Sequence, residues 1–180
     1  LVNDGCKVRA LIRPNASLQN TEYIFSVLNR NEGTSISTKS ELIEWIVGDI
    51  LDIESLMAAF LNVDEVIHAA AFVSFNTRDK EKILHTNIAG TANMVNLSLE
   101  NGIKKFGYVS SVAAVARVSG KLVNEDDREN SYQFASAYSE SKYRAEMEVW
   151  RGIAEGLNAV IVNPGIVLGC GDYNARSSTG

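Results

Sequence analysis

The chain has 180 residues, 46% apolar and 22% charged, which is enough for one domain with a buried core. Its net charge of -5, without a basic stripe, argues against a nucleic-acid partner. No stretch approaches the ~20 apolar residues of a membrane helix.

Leu1 to Asp4 read as the last turn of a helix, with Gly5 as its left-handed stop. Lys7 to Ile12 form a strand that ends at Arg13-Pro14. The stretch 15–40 is polar, with a short helical segment near Tyr23 to Leu28 and then a loop rich in Asn, Ser, Thr and Gly. Glu44 to Val47 form a second strand, left through Gly48-Asp49. Leu51 to Leu61 have helical spacing, with Leu56, Ala59 and Phe60 on one side. Val63 to Ala71 read as a third strand, almost wholly apolar after Glu65, which implies burial on both faces.

A long helix is predicted over 80–100, with Ile88, Ala92, Val95 and Leu99 as its buried stripe and Asn101-Gly102 as its end. Phe106 to Ser110 form the fourth strand. A loop of small and polar residues covers 111–136. A helix runs from about Ala137 to Glu155. Asn158 to Asn163 form the fifth strand, broken by Pro164-Gly165, and the last ten residues read as a loop. Strands alternate with helices throughout, the pattern of an α/β, doubly wound parallel sheet with right-handed crossovers. Ligands of such sheets bind at the carboxyl ends of the strands. That directs attention to Arg13, Asp49, Ala69-Ala70-Ala71, Ser110-Ser111 and Asn163-Pro164-Gly165.

The run Tyr138-Ser139-Glu140-Ser141-Lys142 carries chemistry. Four residues apart on a helix, Tyr138 and Lys142 share one face. A cation beside a phenol favours phenolate and brings its pKa of about 10 towards neutrality, which makes an acid or base of useful strength. The bland alternative is a solvated helix face, so the pair gains weight only from its setting. His68, on a strand among apolar neighbours, reads as a satisfied core histidine rather than a catalytic one. His85 belongs to a helix surface, and neither has the spacing of a zinc site, so no metal is assigned. Tyr143 and Trp150 read as helix packing residues. Cys6 and Cys170 lie far apart and read as reduced thiols, with a disulfide as the alternative. The opening residues have neither the basic start nor the apolar stretch of a signal peptide, so a cytoplasmic protein is expected.

The order of these motifs resembles the extended branch of the short-chain dehydrogenase/reductase superfamily. That branch includes the epimerase/dehydratase family, dihydroflavonol reductases and 3β-hydroxysteroid dehydrogenases. The pieces are VRALIRP at 8–14, GDILD at 48–52, VIHAAAFVSF at 66–75, NIAGTANMVNLSLENGIKKFGYVSS at 87–111, AYSESK at 137–142 and NPGIVLG at 163–169. The resemblance implies a partial NAD(P)-binding Rossmann domain over 1–180. It implies an oxidoreductase that reduces a carbonyl, or oxidises a secondary alcohol, by hydride transfer. Catalytic roles fall on Ser111, Tyr138 and Lys142, with Asn87 either supporting their hydrogen-bond network or serving as a plain bridging amide. Lys142 would also hold the nicotinamide ribose, with Tyr138 and Ser110 close to the cofactor.

Arg13 closes the strand that reads the adenosine ribose. Arginine there suits the 2′-phosphate of NADP over NAD, the alternative being a surface charge. Asp49 and Ile50 would edge the adenine, and Asp49 could equally cap the following helix. Ala69, Ala70 and Ala71 would let the cofactor approach the backbone. Pro164, Gly165 and Val167 would hold the carboxamide. Val112 stands where some epimerases carry Ser or Thr. A nucleotide-sugar epimerase or dehydratase with retained NAD is the alternative enzyme, and a dinucleotide-sensing protein the alternative of another class. The thirteen glycines contain no GxGxxG or GxxGxxG phosphate loop, so a chain incomplete at both ends is expected, with exposed apolar surface and open strand edges. Relatives suggest a homodimer through the helices near 80–100 and 137–155. The substrate class stays a small carbonyl or alcohol.

Overall fold

A computed structural model describes residues 1, 5–14, 16, 18, 43–74, 76–115, 124–125 and 134–167. The expected segment near Tyr23 to Leu28, most of the 15–40 loop, Cys170 and the last ten residues lie outside them. The described chain divides into two compact units: Leu1–Asp49 with Ile166–Gly180, and Ile50–Gly165.

In the first unit, β1 (Val8–Ile12) and β2 (Ile43–Val47) pair in parallel, Val8 opposite Ile43 and Ile12 opposite Val47. Gly48 N–H continues the ladder to the Ile12 carbonyl at 2.8 Å. Gly5 has φ 81°, and the Cys6 N–H reaches back to the Leu1 carbonyl at 3.1 Å, a bond typical of a left-handed helix stop. Cys6 is an exposed free thiol.

The second unit contains α1 (Ile53–Phe60), β3 (Glu65–His68), α2 (Lys80–Glu100), β4 (Lys105–Val109), α3 (Ala137–Ala154) and β5 (Ala159–Val162). Its strands run in the order β3-β4-β5, all parallel. Parallel neighbours need crossovers, and α2 and α3 supply them. These two helices pack on each other and cover one sheet face, burying Val95, Phe106, Tyr108, Ala145 and Val149. Gly152 lets them meet closely. A Cβ at that position would lie 2.6 Å from Val95 Cγ1 and 3.2 Å from Leu157 Cδ2.

Element boundaries follow local chemistry. Asp52, not Asp49, caps α1 by accepting from the Glu54 N–H at 3.2 Å. Leu56 and Phe60 are its buried side, as its spacing predicts. α2 ends as expected at Asn101-Gly102, with Gly102 at φ 63° and the Ile103 N–H bonded back to the Ser98 carbonyl at 3.0 Å. Ser136 caps α3 through the Ser139 N–H at 3.0 Å.

Two expectations fail. The buried side of α2 is Ile83, Asn87, Gly90, Thr91, Met94, Val95, Leu97 and Ser98, while Ile88, Ala92 and Leu99 are half-buried. Hydropathy misplaces the stripe because four of the inward residues are Asn, Gly, Thr and Ser. The third strand is also short, and it alternates. Val66 and His68 are buried, but Glu65 and Ile67 are exposed. Ile67, Val160 and Val162 leave one sheet face open, although an apolar run read as doubly covered.

Candidate active site at the strand ends

The first unit carries Arg13 and Asp49 just beyond β1 and β2. Arg13 is exposed, and its carbonyl accepts from the Ala16 N–H at 3.0 Å. Asp49 is half-buried. Val167, by contiguity in the same unit, is exposed.

The second unit brings together Ser110, Ser111, Tyr138, Lys142, Asn87 and Asn163. Lys142 is the centre. Its side chain is 3% exposed, and its Nζ donates to the Val109 carbonyl at 2.8 Å and to the Tyr108 hydroxyl at 3.2 Å. An ammonium has three N–H donors, so one remains for a ligand or neighbour. Burial lowers its pKa to about 8, against the opposing pull of Glu146. Tyr108 lies beneath it, its phenol pKa raised chiefly by burial. Thr91 bonds to that phenol and to His68 Nε2, the latter at 2.9 Å. His68 is therefore the satisfied core histidine its surroundings predict. Burial first, and the Lys142 charge second, lower its pKa to about 4.

The two serines divide their roles. Ser110 Oγ donates to Glu146 Oε2 at 2.6 Å, so its proton is spent. Ser111 Oγ accepts from the Ala113 N–H at 3.1 Å, and among the described residues its own proton has no acceptor. The turn Val112–Ala114 that follows is held to the start of α3 by Ser139 Oγ, which donates to the Ala113 carbonyl at 2.9 Å. Tyr138, half-buried in that first turn of α3, has no hydrogen-bond partner for its phenol among the described residues.

Asn87 bridges two segments. Its Oδ1 accepts from the Phe72 N–H at 2.7 Å, and its Nδ2 donates to the Phe72 carbonyl at 3.1 Å and to Ser141 Oγ at 2.9 Å. Ser141 Oγ in turn donates to the Tyr138 carbonyl at 2.8 Å. Asn87 thus fixes the segment after β3 against the turn bearing Tyr138 and Lys142. Within that segment Ala69, Ala70 and Ala71 are exposed and carry only methyl side chains. Ile50 is a packing residue by its side chain, which seats on Gly90, and its carbonyl accepts from Asn93 Nδ2 at 3.0 Å. Pro164 is half-buried and its carbonyl accepts from the Val112 N–H at 3.1 Å, while Gly165 is exposed with open space around it.

Sequence reasoning missed Tyr108, Thr91 and Glu146. Glu146 is visible in retrospect as the next residue on the Tyr138–Lys142 helix face, four beyond Lys142. Nothing local marks Tyr108 and Thr91.

Comparison with known proteins agrees with the parallel α/β fold. A Synechocystis sp. protein provisionally named a dihydroflavonol 4-reductase is 30% identical over 170 residues, covering 94% of this chain and 44% of that protein. Cinnamoyl-CoA reductase 1 of Petunia hybrida is 30% identical over 129 residues, covering 67% of this chain and 38% of the enzyme. The crystal structure of gox2253 is 33% identical and matches with a TM-score of 0.66 over 88% of this chain and 51% of that one. The chain therefore spans less than half the length of these two curated relatives. A family model described as male sterility protein, of the NAD-binding type, matches residues 1–180. The chain belongs to that family, within the extended short-chain dehydrogenase/reductase superfamily, and its parallel α/β layers are of that kind.

Proposed function

We propose that the protein is an NAD(P)-dependent oxidoreductase that reduces a carbonyl, or oxidises a secondary alcohol, with Ser111, Tyr138 and Lys142 as its working set. One observation carries this reading. Among the described residues, three donors at the ends of β4 and the start of α3 are uncommitted: the Ser111 hydroxyl, the Tyr138 phenol and the third N–H of Lys142. Buried or half-buried donors are normally satisfied, so a set left open marks a place for a ligand.

The residues present fit a nicotinamide dinucleotide. The spare Lys142 N–H suits a ribose hydroxyl, and the bare alanines after β3 allow close backbone approach. The dinucleotide, when bound, supplies the hydride. The chain's own residues manage the oxygen. Ser111 donates a hydrogen bond to the substrate oxygen as negative charge develops there. Tyr138 gives its proton to that oxygen in reduction and takes one back in oxidation. Lys142, fixed by Val109 and Tyr108, places a positive charge one helical turn from Tyr138, on the side where proton transfer leaves negative charge. Arg13, exposed at the end of β1, suits a 2′-phosphate, which makes NADP the cofactor of choice in this reading.

Tyr138→Phe tests the assignment in the intact protein. Turnover should fall by roughly 10²–10⁴-fold while dinucleotide binding is unchanged. Unaltered turnover would remove Tyr138 from the chemistry.

A further inference from the structure

We propose that Glu146 is a positioning residue of this site: its carboxylate ties the ends of β4 and β5 together behind Ser111 and supports the ammonium of Lys142 one helical turn away. The inference rests on the oxidoreductase reading above for its role in turnover, but not for its electrostatics.

Three donors converge on this carboxylate. Ser110 Oγ at 2.6 Å and Asn163 Nδ2 at 3.0 Å meet Oε2, and Trp150 Nε1 at 3.2 Å meets Oε1. The same Asn163 amide also donates to the Ser111 carbonyl at 3.1 Å. A continuous chain therefore runs from the Ser111 backbone through Asn163 and Glu146 to Ser110. It joins the residue after β5, the two after β4 and the middle of α3. Backbone bonds complete the frame, from the Ser110 N–H to the Val162 carbonyl at 2.8 Å and from the Val112 N–H to the Pro164 carbonyl at 3.1 Å. Taking the Ser110 proton also has a selective effect. It leaves Ser111 as the serine able to donate to a substrate.

The charge has a second effect. Three titratable groups bear on the Lys142 ammonium: His68 from β3, Tyr108 from β4, and Glu146 from its own helix. His68 and Tyr108 are neutral near pH 7, so Glu146 is the group of opposite charge among them. Burial works against the ammonium, and Glu146 works for it. Glu146 thus extends the pH range over which Lys142 keeps its charge upward.

The test follows Lys142 itself, by NMR of lysine ε-methylene groups across pH, in the intact protein and in Glu146→Gln, Glu146→Asp and Ser110→Ala. Glu146→Gln should lower the Lys142 midpoint by about half a pH unit or more. Glu146→Asp, which keeps the charge, should restore most of it. Ser110→Ala removes a hydrogen bond but no charge, so it should leave the midpoint in place. The alkaline limb of kcat should move with the midpoint, whereas a carboxylate that merely held the fold would depress kcat equally at every pH. An unmoved midpoint in Glu146→Gln, or an equal fall in Ser110→Ala, overturns the proposal. If Glu146→Gln does not fold, the Glu146→Asp and Ser110→Ala pair decides, since a fall in Ser110→Ala below Glu146→Asp also overturns it. A wild-type protein with the predicted midpoints but no turnover refutes the oxidoreductase reading and leaves the electrostatic role standing.

Discussion

His68 makes the stability of this fold depend on pH with a sign and size that the structure sets. Its imidazole is 2% exposed, packed 5.5 Å from the Tyr108 ring and bonded to Thr91. In the unfolded chain it takes up a proton as pH falls through 6.5, whereas in the folded chain it does so only near pH 4. Between those values the unfolded state binds more protons, so stability falls as pH falls. The gap converts to about 3 kcal/mol, most of which is lost between pH 7 and pH 4.5. That is a large share of the 5–15 kcal/mol typical of a domain. Carboxylates also titrate in this range, so the measurement is a difference. Urea unfolding at both pH values, followed by circular dichroism, should show the wild type losing about 2–3 kcal/mol more than His68→Gln, which keeps a side-chain partner for Thr91 but does not titrate. Equal losses in the two proteins would show that His68 is hydrated or charged in the folded state, and the buried chain from His68 to Lys142 would have to be redrawn.

Two other predictions concern the site and the helix pair. Because the Lys142 pKa is lowered to about 8, turnover should be level below that pH and fall as pH rises through it; a rate still constant at pH 9.5 would show that the ammonium is not required. Gly152→Ala should destabilise by up to roughly 2 kcal/mol in urea unfolding, since overpacking costs about 1–3 kcal/mol and the gain in helix propensity returns about 1 kcal/mol. A stabilised Gly152→Ala would mean that Val95 has room to give way.

The sequence was most readable where a signal is local. The α2 helix begins and ends where periodicity and the Asn101-Gly102 stop place it, and the starts of α3 and β5 follow from their own flanks. The strand ends were legible too, because a parallel sheet directs attention to the residue after each strand. Contacts between distant residues were not. Tyr108 meets Lys142 across 34 positions, Ser110 meets Glu146 across 36, and Asn163 meets Ser111 across 52. No window of sequence contains such a pair. The α2 stripe failed for a related reason. Asn87, Thr91 and Ser98 look like surface residues until their partners are known, two of which, Phe72 for Asn87 and His68 for Thr91, lie outside the helix. Polar residues on the inner side of a helix displace the apparent hydrophobic face, and here they do so where the site is built.

The opening turn of α3 is fastened differently from the rest of that helix. Ser136, Ser139 and Ser141 make short directional bonds: Ser136 accepts from the Ser139 amide, Ser139 donates to the Ala113 carbonyl, and Ser141 donates to the Tyr138 carbonyl while accepting from Asn87. Further along, Ala145, Val149 and Gly152 are embedded in the neighbouring helix. Hydroxyl latches of this kind yield to competing water or denaturant before a closely packed seam does. In the proposed function Tyr138, the proton donor, stands on this latched turn, so solvent conditions that loosen it should end turnover while the layered body beneath is still whole.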